Sequence, residues 1–325
     1  GVNDVLALNK APLTATVQVE EGDTVSDVAD KLKEAGLIEY KMVFKMFCAL
    51  THVSGQAGEE DAKITPGTYQ LDTDMDYRAI VTNLGSNSAS RQMVTVTIPE
   101  GYTVKQIISL LAKNGVSTEE ALTETAENAT FDFSFVDNEN LGSLSRLEGY
   151  LFPDTYEFYV GEQSSSALTR LLKNFETKMM NDEMKAKVES SGHSLQEIVT
   201  IASLIEKETD GTDQGKIASV IYNRLDRPTS ETAGYLNIDA TILYATGGTE
   251  VDLNADTPYN TRTHTGLPPT AIANPGTDAL KAAVYPDSTK YYYYALGDDG
   301  KHSFFATYRE QQNFIATQEL YKNDK

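Results

Sequence analysis

Two stretches of the chain share one pattern of apolar and polar positions. In "VQVEEGDTVSDVADKLKEAGL" (17–37) a short alternating run is followed by Glu21-Gly22, and then by apolar residues at three- and four-residue steps. That order predicts a strand, a tight turn, a helix capped by Thr24 and a terminating Gly36. "VTIPEGYTVKQIISLLAKNGV" (96–116) repeats it without gaps at an offset of 79 residues. Val17, Glu21, Gly22, Thr24, Val25, Val28, Leu32 and Gly36 fall on Val96, Glu100, Gly101, Thr103, Val104, Ile107, Leu111 and Gly115, so the unit is a β-turn-α module used twice. Between the copies, "ITPGTYQLDTDMDYRAIVTNL" reads as strand, turn and helix, with "SGQAGEEDA" and "GSNSAS" as polar connectors. Asp72, Asp74 and Asp76 resemble the start of a calcium loop but lack its glycine and distal Glu, so they read as a helix N-terminus.

After about residue 145 the texture changes to Pro/Gly punctuation, many tyrosines and alternating helical and extended stretches. "ALTRLLKNFETKMMNDEMKAKV" (167–188) has the period of one long amphipathic helix. "SLQEIVTIASLIEKET" (194–209) is a second, opened by Ser194 and Glu197 as a capping box and stopped by Asp210-Gly211, and "GKIASVIYNRL" (215–225) is a third. "KYYYYALG" (290–297) reads as a strand whose rings belong to the core, and "QQNFIATQELY" closes the chain as a helix. The expected organisation is α+β: a linker over 1–14, a β-α repeat region over 15–145 and a mixed α+β domain over 146–325.

Composition narrows the function. The 325 residues carry a formal charge of −21, with no basic run that could neutralise phosphates, which excludes a nucleic-acid partner. Cys48, the single cysteine, lies in an apolar stretch and reads as a core residue. The four histidines (His52, His193, His264, His302) show no metal-ligand spacing, and neither a phosphate-cradling loop nor a serine-hydrolase elbow is present. No metal and no cofactor is expected.

What remains is acid chemistry. In "IASLIEKET" (201–209) Glu206 and Glu208 fall on opposite margins of an apolar helix face. Periodicity does not choose between them. One turn back from Glu206 stand Ala202 and Ser203, small neighbours that would leave room for a ligand, whereas Glu208 stands by Leu204 and Ile205. A carboxyl beside apolar residues at the negative end of a helix favours its protonated form, the state a general acid needs; a solvated helix end is the bland alternative. "LEGYLFPDTY" (147–156) joins acids to aromatic rings, as a sugar site often does. Asp239 in "YLNIDATILYA" reads as a helix cap or a site residue, and the long, proline-stiffened loop 257–276 reads as functional.

Taken in order, "EGYLFPDTY", "IASLIEKET", "VIYNRL", the Asp239-Ala-Thr-Ile-Leu-Tyr-Ala run, "PYNT", "TGLPP", "NPG" with "DALKAAVYP", and "GKHSF" resemble the YceG/MltG family of endolytic peptidoglycan transglycosylases over most of 146–325. The N-terminal half is similar, more loosely, to that family's LysM-like region. The resemblance implies cleavage between N-acetylmuramic acid and N-acetylglucosamine in nascent strands, giving 1,6-anhydro ends. It also implies a single-pass membrane anchor ahead of residue 1, an extracytoplasmic catalytic part, and work beside penicillin-binding protein synthases of the elongation or division machinery. The family's catalytic glutamate falls on Glu206. Glu148, Asn223, Asp239, Tyr259, Asn260 and Thr261 match other motif positions, and Tyr150, Tyr156, Glu208 and Thr241 lie within the same motifs as supporting residues. Asn237 stands where the family often has Gln, and Thr270-Ala271 replace a common Gly-Pro. Two rivals stay open: a hydrolytic muramidase using Glu148 or Asp239 as second carboxylate, and a non-catalytic glycan-binding scaffold.

Overall fold

The structure, a computed structural model, describes residues 2–8, 10–60, 62–85, 93–209 and 211–323. Most of the "GSNSAS" connector and the Asp210 stop signal lie outside the described residues.

The first half opens with a short helix α1 (Val2–Val5) and then strand β1 (Thr14–Val19), helices α2 (Val25–Glu34) and α3 (Lys41–Leu50), strand β2 (Gly67–Asp72) and helix α4 (Tyr77–Gly85). β1 and β2 pair antiparallel, Thr14 opposite Asp72 through Val19 opposite Gly67, so the first repeat copy is closed as a β-α-α-β unit. The expected cap is present: the Thr24 hydroxyl accepts from the Asp27 N–H while Asp27 returns to the Thr24 N–H. Val17, Val28, Leu32, Phe44, Cys48, Tyr69 and Leu71 share its core, so Cys48 is a core residue, its thiol pushed up to about 11 by burial. At the start of α4, Asp76 accepts from the Ala79 N–H at 2.8 Å, the helix-terminus role read for this acidic run.

Strand β3 (Met93–Thr97), helices α5 (Val104–Lys113) and α6 (Glu119–Asn128) and strand β4 (Thr155–Tyr159) repeat the plan. β3 and β4 pair antiparallel from Met93 opposite Tyr159 to Thr97 opposite Thr155, and Thr103 with Gln106 forms the second capping box. The core of this copy is not its own. Val96, Val104, Ile107 and Leu111 pack in one continuous cluster with Leu147, Phe175, Ile201, Ile217 and Leu280. The two large apolar clusters meet between Leu84 and Val96, and a small third one joins Leu6 and Leu8 to Ala121.

The remaining elements are α7 (Ser164–Met179), α8 (Asp182–Ser191), α9 (Leu195–Glu208), α10 (Gln214–Asp226), α11 (Asp239–Thr246), α12 (Thr277–Val284), strands β5 (Tyr293–Leu296) and β6 (His302–Phe305), paired antiparallel, and α13 (Tyr308–Ile315). The single helix expected over 167–188 is two. Asn181 caps the second through the Met184 N–H, and a side-chain cap there starts a new helix instead of continuing the old one. The terminal helix also ends early, at Ile315, followed by a 3-10 turn over Glu319–Tyr321. α9 is the central element. Eight consecutive residues, Ile198 to Ile205, are buried, as befits a helix surrounded by protein; α12, α10 and α11 pack on it. Its first turn, at Gln196 and Glu197, and its last, from Glu206, reach the surface.

Candidate active site

Glu206 occupies that last turn, half-buried. One of its oxygens accepts the Gly276 N–H at 3.1 Å, at the foot of α12. The Gly101 turn of the second repeat copy lies behind it: a Cβ on Gly101 would sit 3.5 Å from Glu206 Cγ. Burial pushes the Glu206 carboxyl above the usual range, the Gly276 N–H pulls the other way, Glu100 and Asp278 add to the rise, and Lys207 opposes them. In front, a cleft of about 740 Å³ is lined by Glu206, Lys207, Glu208, Asp213, Lys216 and His302. The acid is therefore reached by an open groove while its back is held by protein.

Two further hollows adjoin. One of about 850 Å³ shares Glu208, Leu296 and His302 with the cleft and runs past Asp239, Arg262 and Tyr294. The other, about 820 Å³, shares Lys207 and runs past Glu148, Tyr244 and Tyr259. Glu208 faces the first. Burial raises its carboxyl's proton affinity, the Tyr294 hydroxyl donates to it at 2.8 Å, Asp239 raises it further, and His302 and Arg262 oppose. His302 is fixed by Asp213 at 2.7 Å.

Glu148 lies deeper, 3% exposed. It accepts from the Val104 N–H at the first turn of α5 (3.0 Å), from Asn274 Nδ2 (2.8 Å) and from the Tyr244 hydroxyl (2.9 Å). Burial pushes this carboxyl up to about 8 against the pull of those three donors. Its companions, Asn274 and Gly149, were read only as parts of motifs. Asn274 Oδ1 accepts the N–H groups of Gly149 and Leu151, both at 2.9 Å, while its Nδ2 donates to the Tyr102 carbonyl and to Glu148. Gly149, at φ +95°, is needed because a Cβ there would collide with Val199 and Ala271.

The other expected residues fall into three places. Asp239 is at the rim, held by Arg262 at 2.6 Å; it is the first residue of α11 with Ile238 at the cap, and makes no cap bond of its own. Tyr259 is half-buried and bonded to Thr270 at 2.7 Å, so one of the departures from the family pattern supplies a hydroxyl partner. Asn223, Thr241, Asn260 and Thr261 are buried scaffolding. Asn223 holds the Thr289 and Tyr291 carbonyls, Asn260 those of Leu253 and Ala255, and Thr261 takes the Ile238 N–H and meets the Thr241 hydroxyl. Tyr150 packs on Phe135 and Phe175, and Tyr156 bonds the Phe152 carbonyl. Asn237, the other departure, adopts φ +54°, a conformation Asn tolerates well.

Ala202 and Ser203 do not open space for a ligand. Both are fully buried, and the Ser203 hydroxyl takes the Ile272 N–H at 3.1 Å, so the room goes to the loop that delivers Gly276. Glu100, Tyr244, Asn274, Gly276, Tyr294 and His302 were missed as site residues. The only signal for most was their place in a motif: Asn274-Pro-Gly276, the tyrosine run and "GKHSF".

The fold and site define a mixed α+β protein with two partly buried acids, Glu206 and Glu208, at a helix end that opens on a cleft flanked by two further hollows. The chain belongs to the YceG-like family, whose profile matches residues 17–317. It is 31% identical over 327 aligned positions to an endolytic murein transglycosylase of Bacillus subtilis, covering 96% of this chain and 87% of that protein. An endolytic murein transglycosylase of Streptococcus pneumoniae serotype 2 is 28% identical over 317 positions, covering 88% of this chain but 55% of that longer protein. A crystal structure of a YceG-like protein from Listeria monocytogenes superposes with a TM-score of 0.58 at 26% identity, covering 93% of this chain and 99% of that one.

Proposed function

We propose that this chain is an endolytic murein transglycosylase, cutting the bond from N-acetylmuramic acid to N-acetylglucosamine inside glycan strands, with Glu206 as its one acid–base group. The observation that carries this reading is the Glu206 carboxyl: proton affinity raised by burial, one oxygen oriented by the Gly276 N–H, the other side open to the cleft. Protonated Glu206 gives its proton to the glycosidic oxygen as the C1–O bond breaks. The resulting carboxylate then takes the proton of the muramoyl C6 hydroxyl while that oxygen bonds to C1, closing a 1,6-anhydro ring. The sugar brings its own nucleophile, which removes much of the entropy cost of recruiting water. A cleft with a further hollow adjoining on either side suits a strand that passes through instead of ending there.

A hydrolytic muramidase needs a second carboxylate. Glu148 is occupied by three donors and Asp239 by Arg262, which favours the single-acid route. Extracytoplasmic action follows from the substrate. A membrane anchor and an association with penicillin-binding protein synthases belong to the same proposal, as does a LysM-like character for the β-α-α-β units; no helix among the described residues is long and apolar enough to cross a membrane.

Digestion of purified peptidoglycan with the parent and Glu206→Gln, followed by mass spectrometry of fragment ends, tests the reading. Anhydro ends and a roughly 10²–10⁴-fold loss in the variant are expected. Reducing ends would make the protein a muramidase, strand binding without product would make it a scaffold, and near-parental turnover in the variant would remove Glu206 from its role.

A further inference from the structure

The two repeat copies dock their turns in the same way on different receivers. In the first, the Gly22 N–H donates to the Ala57 carbonyl (2.8 Å) and the Ala57 N–H to the Asp23 carbonyl (2.9 Å). In the second, the Gly101 N–H donates to the Asn274 carbonyl (2.9 Å) and the Asn274 N–H to the Tyr102 carbonyl (2.8 Å). The preceding glutamates behave alike as well. Glu21 lies against Gly58, just after its receiver, and Glu100 lies against Gly276, two residues after its own; in each case a Cβ on the glycine would run into the glutamate. The difference is what the receiving loop does. Gly58 sits in a connector, whereas Gly276 gives its N–H to Glu206.

We infer that the Glu100–Gly101 turn of the second repeat copy is the backing of the catalytic acid, and that Glu100 is a positioning residue whose carboxylate, seated on the Gly276 backbone, helps keep the proton on Glu206. The inference rests on the reading of Glu206 as the acid. The charged groups that face Glu206 are Lys207 and Glu208 on its own helix, Asp278 in the first turn of α12, Glu100 on the turn behind, and Asp213, Lys216, Lys301 and His302 around the cleft. Glu100 and Asp278 favour the neutral acid, and Lys207 favours the anion. Glu100 is exposed, so its influence is modest and salt-sensitive. The repeat is then part of the catalytic apparatus, beyond any role it has in holding glycan.

The test follows the Glu206 carboxyl carbon by NMR in protein labelled at glutamate, assigned by its disappearance in Glu206→Gln. In Glu100→Gln the Glu206 midpoint falls by about half a pH unit at low salt, and the difference shrinks at about 0.5 M salt. Glu100→Asp restores most of it. Gly276→Ala, which expels the Glu100 carboxylate from its seat while keeping the backbone N–H, moves the midpoint the same way and adds little to Glu100→Gln. An unmoved midpoint in a folded Glu100→Gln protein overturns the inference. The alkaline limb of turnover moves down in step if Glu206 is the acid. A midpoint that moves while the limb stays leaves Glu100 in place and removes Glu206 from the reaction, so the two failures are distinct.

Discussion

The two β-α-α-β units differ less in their sequence than in what they close upon. The first completes itself: β1 pairs with β2, and its turn docks on Ala57, a residue of the same unit whose backbone alone is used. The second reaches far along the chain, through a contact 172 residues distant, to a receiver that also carries a working side chain. Asn274 binds the turn with its backbone, the 148–151 loop with its amide, and stands two residues from the N–H that orients Glu206. The module used twice thus gives one copy that closes on its own strands and on α4, and one whose turn docks two residues from the N–H that binds Glu206. Where the receiver is a plain alanine, a backbone fit suffices; where it is an asparagine, the same fit also ties down the 148–151 loop and Glu148.

The strongest way to break this comparison is Asn274→Ala. The substitution turns the second receiver into the first. It keeps the backbone pair but leaves the Gly149 and Leu151 N–H groups buried without the side chain that takes them, and removes a donor from Glu148. A loss of about 3 kcal/mol or more is expected, at roughly 1–3 kcal/mol for each buried group left unsatisfied. Urea unfolding and turnover on peptidoglycan would both show it. Stability within about 0.5 kcal/mol of the parent would mean that the side chain is dispensable and that the two receivers are equivalent.

The contrast also explains what could be read from sequence. The capping boxes at Thr24, Thr103 and Ser194 and the buried run of α9 were legible because each depends on residues within one or two turns. The Asn181 break went unseen because the apolar period continues across it, although Asn before two acids is a helix-start signal. Ala202 and Ser203 were correctly small, but what they make room for is a loop some seventy positions away, which no local pattern announces. Asn274 is the extreme case. All of its partners are remote, so its only trace was a motif. In the sequence, small neighbours and resemblance both favour Glu206 over Glu208; since the room beside Ala202 and Ser203 goes to a loop and burial raises the proton affinity of both carboxyls, only the resemblance still separates them.

A second experiment sharpens the comparison through pH. Asp4, a buried acid of the first half, has its carboxyl held below the ordinary value: burial opposes this but is outweighed by Lys10, Tyr77 and the N–H groups of Tyr40 and Glu39. A depressed carboxyl adds stability above its unfolded value and loses it as pH falls through the folded one, so this half weakens in acid, below about pH 4. Glu148 is the reverse. Pushed up to about 8, it keeps its proton where the unfolded chain has lost it, so its contribution is full below about pH 4.5 and drains away as pH rises towards 8. Glu162, Glu206 and Glu208 shift the same way. Unfolding followed residue by residue with hydrogen exchange should show the two cores losing protection at opposite ends of the range, with Glu148→Gln flattening the alkaline decline. A second half whose stability rose between pH 5 and 8 would contradict the assignment of Glu148.

The finest comparison is between two glycines at equivalent positions. Gly22 and Gly101 have φ of +91° and +82°, so alanine at either is strained by about 1 kcal/mol. Around Gly22 a new Cβ meets nothing, and the cost stays within the first core. At Gly101 the Cβ comes to 3.5 Å from Glu206 Cγ, an ordinary contact, but the Gly101 carbonyl is also the acceptor of Lys207 at 3.4 Å. Any relaxation of the strained turn is therefore passed to the acid and to its charged neighbour. Gly22→Ala and Gly101→Ala should lose similar stability in thermal unfolding, while only Gly101→Ala loses turnover, by about three- to tenfold, because small displacements of a reacting group are costly. Equal turnover in the two variants would mean that the turn touches Glu206 without guiding it, and the second copy would then be a support no different in kind from the first.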